Sequence, residues 1–357
     1  MAYTDIDDPT AFFQTVTYTG NGATGRSITL PSDTDMQPDW VWLKSRGEAE
    51  HHQLTDSVRG VNKQLYSHLP YAQASETDRI TAFNSDGFTI QDDIIVNKNT
   101  IEFVAWCWKA GTAFSNDASS TSVGSIDSAG SVNTDAGFSI ITFTGNNTND
   151  ATIAHGLGTT PAMIITKNID DSVNWRVWHK NLPNADDVLF LNGTNAAVAT
   201  SAHANGYIKT VGSATYSTHA SNSDANGVNG DDDAMIAYCF AGKQGFSKFG
   251  TYEGNGNDDG PFINTGFAPA FVMVKCFDQG EHWNIYDNKR GASSALSFNL
   301  NNAERTMDDS PAMELLSNGF KIRTSDGNLS NADDSFLYMA FAEEPFVTST
   351  GVPATAK

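Results

Sequence analysis

Short apolar runs parted by Gly- and Asn-rich turns recur along this chain in one fixed order, and the whole order appears three times. Each round opens on a strand running into a turn: Thr17-Tyr18-Thr19-Gly20-Asn21-Gly22, then Thr142-Phe143-Thr144-Gly145-Asn146-Asn147, then Thr251-Tyr252-Glu253-Gly254-Asn255-Gly256. Asn and Gly tolerate the positive φ that tight reversals demand. A Pro then leads an apolar strand ending in Lys, at Pro38 to Lys44, Pro161 to Lys167 and Pro269 to Lys275. An alternating strand follows, His52 to Asp56, Trp175 to His179 and Trp283 to Asp287, and after it a Gly-aromatic turn at Gly87-Phe88, Gly206-Tyr207 and Gly319-Phe320. A closing apolar strand ends each round: Phe103 to Trp108, Met235 to Phe240 and Phe336 to Phe341. One β module is used three times.

The faces of these strands follow from alternation. Trp40, Trp42 and Lys44 share one face while Val41 and Leu43 share the other, and a strand apolar on both faces is central and buried. Its terminal Lys is expected to snorkel out or meet a carboxylate. In the alternating strand, His52, Leu54, Trp175, Val177, Trp283 and Ile285 form the inward set. Gln53, Thr55, Arg176, Trp178, Asn284 and Tyr286 are then expected to point outward. Trp178 and Tyr286 are therefore the candidate binding residues, because a flat ring on a strand face stacks on a sugar or fills an interface between subunits or modules. Asp56 with Arg59-Gly60, and Asp287 with Arg290-Gly291, read as turns closed by a carboxylate–guanidinium pair.

These signals predict an all-β fold of three tandem antiparallel β-sandwich modules, jelly-roll or lectin-like, with a closed pseudo-threefold single domain as the alternative. The expected order is an N-terminal arm at 1–12, module one at 13–111, a Ser/Gly/Asp-rich linker at 112–136, module two at 137–243, module three at 244–345 and a tail at 346–357. Each module is long enough to bury a core of its own. Residues 203–233 read as a long surface loop, and 310–316 as one or two helical turns.

Charge and chemistry narrow the function. With 21 basic against 42 acidic residues the net charge is −21, which disfavours nucleic acid and anionic membranes as partners. Cys107 and Cys239 occupy equivalent positions and read as small core residues; no signal peptide or membrane span is predicted. No G-x-S-x-G, H-E-x-x-H, Walker A or C-x-x-C occurs, so no catalytic residue and no cofactor is assigned. His52 stands where the other copies have Trp and reads as packing. The Asp-rich turns at Asn255–Asp259 and Asp231–Asp233 are candidates for Ca, against the plainer reading of solvated carboxylates.

Several stretches carry a family resemblance: Ile6-Asp7-Asp8-Pro9, the turn at 17–22, Asp56 to Gly60, Phe83 to Phe88, Ala105 to Ala110, Lys248 to Gly256, Gly260-Pro261-Phe262, Ala340 to Phe346 and Pro353 to Lys357. With these the chain resembles tailed-bacteriophage virion proteins of marine and cyanophage type, usually described as tail fibre or other structural proteins. That resemblance implies a non-enzymatic virion protein, a tail fibre or tail-associated adhesion component, assembled in the host cytoplasm. A homo-oligomer, most plausibly a trimer, is expected, with other virion proteins and a host surface glycan as partners. A carbohydrate-active depolymerase and a capsid decoration protein are the alternatives. Module two departs from the pattern at His179-Lys180-Asn181, where the Asp and the Arg-Gly turn are missing.

Overall fold

The closing strand of each repeat lies in the middle of an antiparallel sheet, which is why its sequence is apolar on both faces. In the computed structural model, which describes residues 4–184, 187–198, 206–219, 227–291, 293–306 and 312–353, Glu102–Trp108 is flanked by Phe13–Thr19 and Trp40–Ser45, with Gln53–Asp56 outermost. The second repeat places Ala234–Phe240 between Phe138–Thr144 and Met163–Asn168, with Arg176–His179 beyond. In the third, Ser335–Pro345 sits between Ser247–Glu253 and Phe267–Cys276, followed by Trp283–Asp287. Each repeat adds a three-stranded sheet, ordered in the first as Arg26–Thr29, Gly87–Ile90 and Ile80–Asn84. The fold is all-β.

The recurring turn has one physical cause. A Cβ on Gly20 would lie 2.1 Å from the Lys98 carbonyl oxygen, on Gly145 2.0 Å from that of Gly230, and on Gly254 2.2 Å from that of Asn331. Only glycine lets the crossing backbone approach there. Two residues on, Gly22, Asn147 and Gly256 take φ of 65°, 49° and 63°.

Two kinds of core result. Between the paired sheets of the first repeat lie Val41, Leu43, Phe88, Phe103, Ala105 and Cys107. Ile141, Ile153, Ile164, Tyr216 and Cys239 do the same in the second. The opposite faces of all three large sheets meet in one cluster that joins Trp40, Trp42, Trp106 and Trp108 to Trp175, Tyr238 and Phe240 and to Phe271, Trp283 and Phe341. Rings stack across the repeats: Trp40 on Tyr238 at 4.3 Å between centroids, Trp42 on Phe298 at 3.6 Å and Phe13 on Phe341 at 5.1 Å. The repeats therefore close on one another around a shared core, rather than each enclosing the whole of its own.

Several local expectations are corrected. The stretch read as a linker forms two strands, Thr112–Asn116 and Ser128–Asn133, with a short helix Ala118–Thr121 between them, and extends the second repeat's large sheet. Small polar residues mimic a linker in composition, yet they suit a strand laid closely on a sheet edge. The loop expected at 203–233 contains the paired strands Tyr207–Val211 and Thr215–His219, while residues 203–205 and 220–226 lie outside the described residues. Met313–Leu316 is a strand paired with Gly319–Ile322, not helix; residues 310 and 311 lie outside the described residues. All three cysteines, Cys107, Cys239 and Cys276, are free and buried.

Candidate functional site

Buried polar side chains bond across the seams between repeats at two recurring positions. At the first position of the alternating strand, Trp175 donates its indole N–H to the Tyr66 carbonyl of repeat one at 2.9 Å. Trp283 donates to the Phe190 carbonyl of repeat two at 2.9 Å. His52 closes the cycle through Nε2, which lies 3.1 Å from the Ser297 carbonyl of repeat three. Its Nδ1 accepts from the Trp42 indole at 3.0 Å, so Nε2 carries the proton and the imidazole does the work of the missing indole. Burial pulls the pKa of His52 well below the ordinary histidine value, which keeps the ring neutral. Sequence reading placed His52 as packing and missed its bond; its alignment with two tryptophans was the available signal.

A second cycle uses the predicted turns. Arg59 Nε pairs with Asp56 at 2.6 Å and Arg290 Nε with Asp287 at 2.5 Å, as the spacing predicts. Each carboxylate also reaches a neighbouring repeat: Asp56 accepts from the Tyr238 hydroxyl at 2.8 Å, and Asp287 from the Trp106 indole at 2.9 Å. At the third seam both partners change together. His179 replaces the Asp and faces the backbone of Tyr338, while Met339 occupies the position of Trp106 and Tyr238. Losing donor and acceptor at once leaves no buried charge behind, and so the departure of module two from the pattern is compensated in module three. Between repeats one and three, Glu304 adds a bidentate bond to Arg46 at 2.8 and 3.0 Å and a further one to Arg290 at 3.0 Å.

The strand-end lysines correct another expectation. Lys44, Lys167 and Lys275 neither snorkel nor meet a carboxylate, because each is fully buried under the carbonyls of its own turn. Lys44 donates to Ser45 and Glu48, Lys167 to Asn168 and Asp171, Lys275 to Cys276, Gln279 and Thr194. Burial lowers their pKa values to about 8, about 7 and about 8.

Trp178 and Tyr286 do not point outward. Trp178 is 9% exposed in the core between the sheets of repeat two, and Tyr286 is 3% exposed. The opposite set, Trp175 and Trp283, makes the contacts between repeats. Alternation separated the two faces correctly, but both faces are covered, one by the repeat's own small sheet and the other by the shared core. The polar members of the set are buried too: Arg176 donates to the Gly206 and Asn174 carbonyls and lies 4.7 Å from the Phe190 ring, and Asn284 bonds His282 and Ser297.

A cleft of about 630 Å³ opens where repeats one and three meet. Phe13, Gln14 and Thr15 form one wall, Pro31, Ser32 and Thr34 a second, and Ala270, Lys289 and the stretch 342–345 a third. The N-terminal arm is an ordered part of its rim: Asp8 caps the turn Pro9–Ala11, and Asp7 accepts from the Ser349 backbone at 2.6 Å. Two of the lining residues hold a buried polar atom without a hydrogen-bond partner among the described residues, Thr15 Oγ1 and Asn288 Oδ1. Nothing in the sequence marks this cleft. The Asp-rich turns hold no cluster of metal-ligating residues among the described ones. Asp259 is bound to Lys321 at 2.9 Å and Arg323 at 3.1 Å, and Asp233 to the Asn168 amide at 2.7 Å.

Over residues 8–345 the chain matches a family described as a domain of unknown function, DUF7483. The chain belongs to that family. The match takes in all three repeats as one unit, as their shared core requires. No curated protein and no solved structure matches the chain.

Proposed function

We propose that this DUF7483 protein is a non-enzymatic structural component of a tailed-phage virion, a tail fibre or tail-associated adhesion protein. It acts as a homo-oligomer, a trimer in the first instance, and its repeats are tandem β-sandwich modules of jelly-roll or lectin-like kind. One observation carries the reading: Asp56, Asp287, His52, Glu304 and their partners make buried bonds across the seams that lock three repeats into one body. Catalysis instead asks for perturbed groups gathered in a cleft and open to substrate. The resemblance at the arm, the turns and the closing strands supports the virion context. The test is to incubate the purified protein with polysaccharide from the host surface and to locate the chain in intact particles by electron cryomicroscopy. Density on the tail with no new reducing ends supports the proposal. Turnover that disappears on replacing one carboxylate overturns it.

A further inference from the structure

The three repeats present the same strand edge, and only one of them is covered. In repeat two, Phe138–Thr144 is flanked on its outer side by Ser128–Asn133, with Ser131 opposite Ile140 and Ala129 opposite Thr142. That covering strand, Ser-Ala-Gly-Ser-Val-Asn, is made of small residues for a reason: a Cβ on Gly130 would lie 1.9 Å from the Ile140 carbonyl oxygen. At Gly130 the strand approaches too closely for any side chain. The equivalent strand of repeat one, Phe13–Thr19, has the same Phe, Thr, aromatic and Thr at its first, fifth, sixth and seventh positions.

Its own outer edge is unpaired, and it reaches the surface at Thr17–Thr19, whereas Phe13–Val16 are buried. Lys109 N donates to the Phe12 carbonyl and Gly20 N to the Ile101 carbonyl, so the even-numbered residues bond the closing strand. The backbone groups of Phe13, Thr15 and Thr17 therefore point away from it, and among the described residues they have no partner. A strand of seven residues in unbroken register, with neither Pro nor bulge, lacks the usual devices that blunt an edge. The cleft lies beside the first three residues of this edge, and of these Thr15 is 2% exposed and its buried Oγ1 has no hydrogen-bond partner among the described residues. Asp7, Asp8, Glu343 and Glu344 surround the cleft against the single cation Lys289, which selects an uncharged or basic occupant.

We propose that the Phe13–Thr19 edge, with the cleft beside it, accepts an extended segment of a partner chain, rich in small residues and uncharged or basic, as an added strand. The segment occupies the place that Ser128–Asn133 fills in repeat two. This inference does not depend on the virion reading.

The probe is a synthetic peptide, Ser-Ala-Gly-Ser-Val-Asn-Lys-Lys, added to the full ¹⁵N-labelled chain. Saturable shifts of the Thr15 and Thr17 amides are expected, and Thr17→Pro should weaken uptake at least tenfold. That substitution removes an outward N–H and leaves the bonds to the closing strand in place. Hydrogen exchange on the unaltered protein provides a check that needs no variant: the Thr15 and Thr17 amides should exchange faster than that of Val16 and slow down when the peptide is present. The assignment is overturned by the absence of shifts at millimolar peptide, by uptake indifferent to Thr17→Pro, or by equal protection of all three amides in the free protein. A dimer abolished by Thr17→Pro without peptide uptake also overturns it, because the edge would then belong to a second copy.

Discussion

Replacing Asp287 by Ala tests the shared core most directly, since this carboxylate serves a turn in repeat three and a seam with repeat one. It accepts from the Lys289 and Arg290 backbone N–H groups at 3.0 Å each, from Arg290 Nε at 2.5 Å and from the Trp106 indole at 2.9 Å. The Arg290 side chain is fully buried, and in the variant it keeps Glu304, the Ile285 carbonyl and the Trp106 ring but loses its paired carboxylate. Breaking a buried pair from one side costs about 3–5 kcal/mol. The orphaned indole N–H adds roughly 1–3 kcal/mol. A loss of about 5 kcal/mol corresponds to a fall in Tm of roughly 10–20 °C at the ~2–4 °C per kcal/mol of large domains. Because the three repeats pack on one aromatic cluster, that fall should appear as a single calorimetric transition moving as a whole. Independent modules would behave differently: one of several transitions would shift and the rest would stay. Seeing that pattern would falsify the shared core as the unit of folding. The variant Asp56→Ala, which removes the carboxylate paired with Arg59 and the acceptor of the Tyr238 hydroxyl at another seam, should move the same transition by a similar amount.

Other consequences follow from burial and charge. His52, His155 and His179 are buried, and burial lowers all three pKa values, that of His179 to about 3. The unfolded chain then takes up protons first as the pH drops through 6.5, so each histidine should cost about 1.4 kcal/mol per pH unit below that value. Chemical denaturation between pH 7 and 5 should show this slope, and His179→Gln should reduce it by one proton. Trp178→Ala should destabilise by about 3–5 kcal/mol, since it empties a core site; a Tm unchanged within 2 °C or so would mean that the ring serves another contact. Trp108→Phe should come close to neutral in urea titrations. The indole N–H of Trp108 is buried without a partner among the described residues, and the equivalent positions in the other repeats, Phe240 and Phe341, already hold phenylalanine.

Local chemistry was legible in the chain itself. The threefold recurrence, the strand identities, the Gly-Asn turns and the Asp–Arg pairs depend on contacts within a few residues, and the spacing of residue types reports those directly. Thr17 to Gly22 reads as strand and turn without any knowledge of what crosses it. The family resemblance likewise rests on local motifs. What the faces of each strand meet is a different matter, because a period of two separates two faces without naming what covers them. Alternation puts Trp178 and Tyr286 on an outward face fit for a sugar or an interface, whereas the fold buries them; it puts Trp175 and Trp283 in the core of their own module, and in fact they bond its neighbour. Lys44, Lys167 and Lys275 sit at the end of their strands as the sequence order requires, yet only the folded turn brings carbonyls around the ammonium. The linker at 112–136 became a sheet edge, since composition records small polar residues and is silent on whether a strand edge lies beside them. The cleft beside Phe13–Thr15 is decided entirely by how the third repeat closes on the first, a juxtaposition of residues more than 300 positions apart.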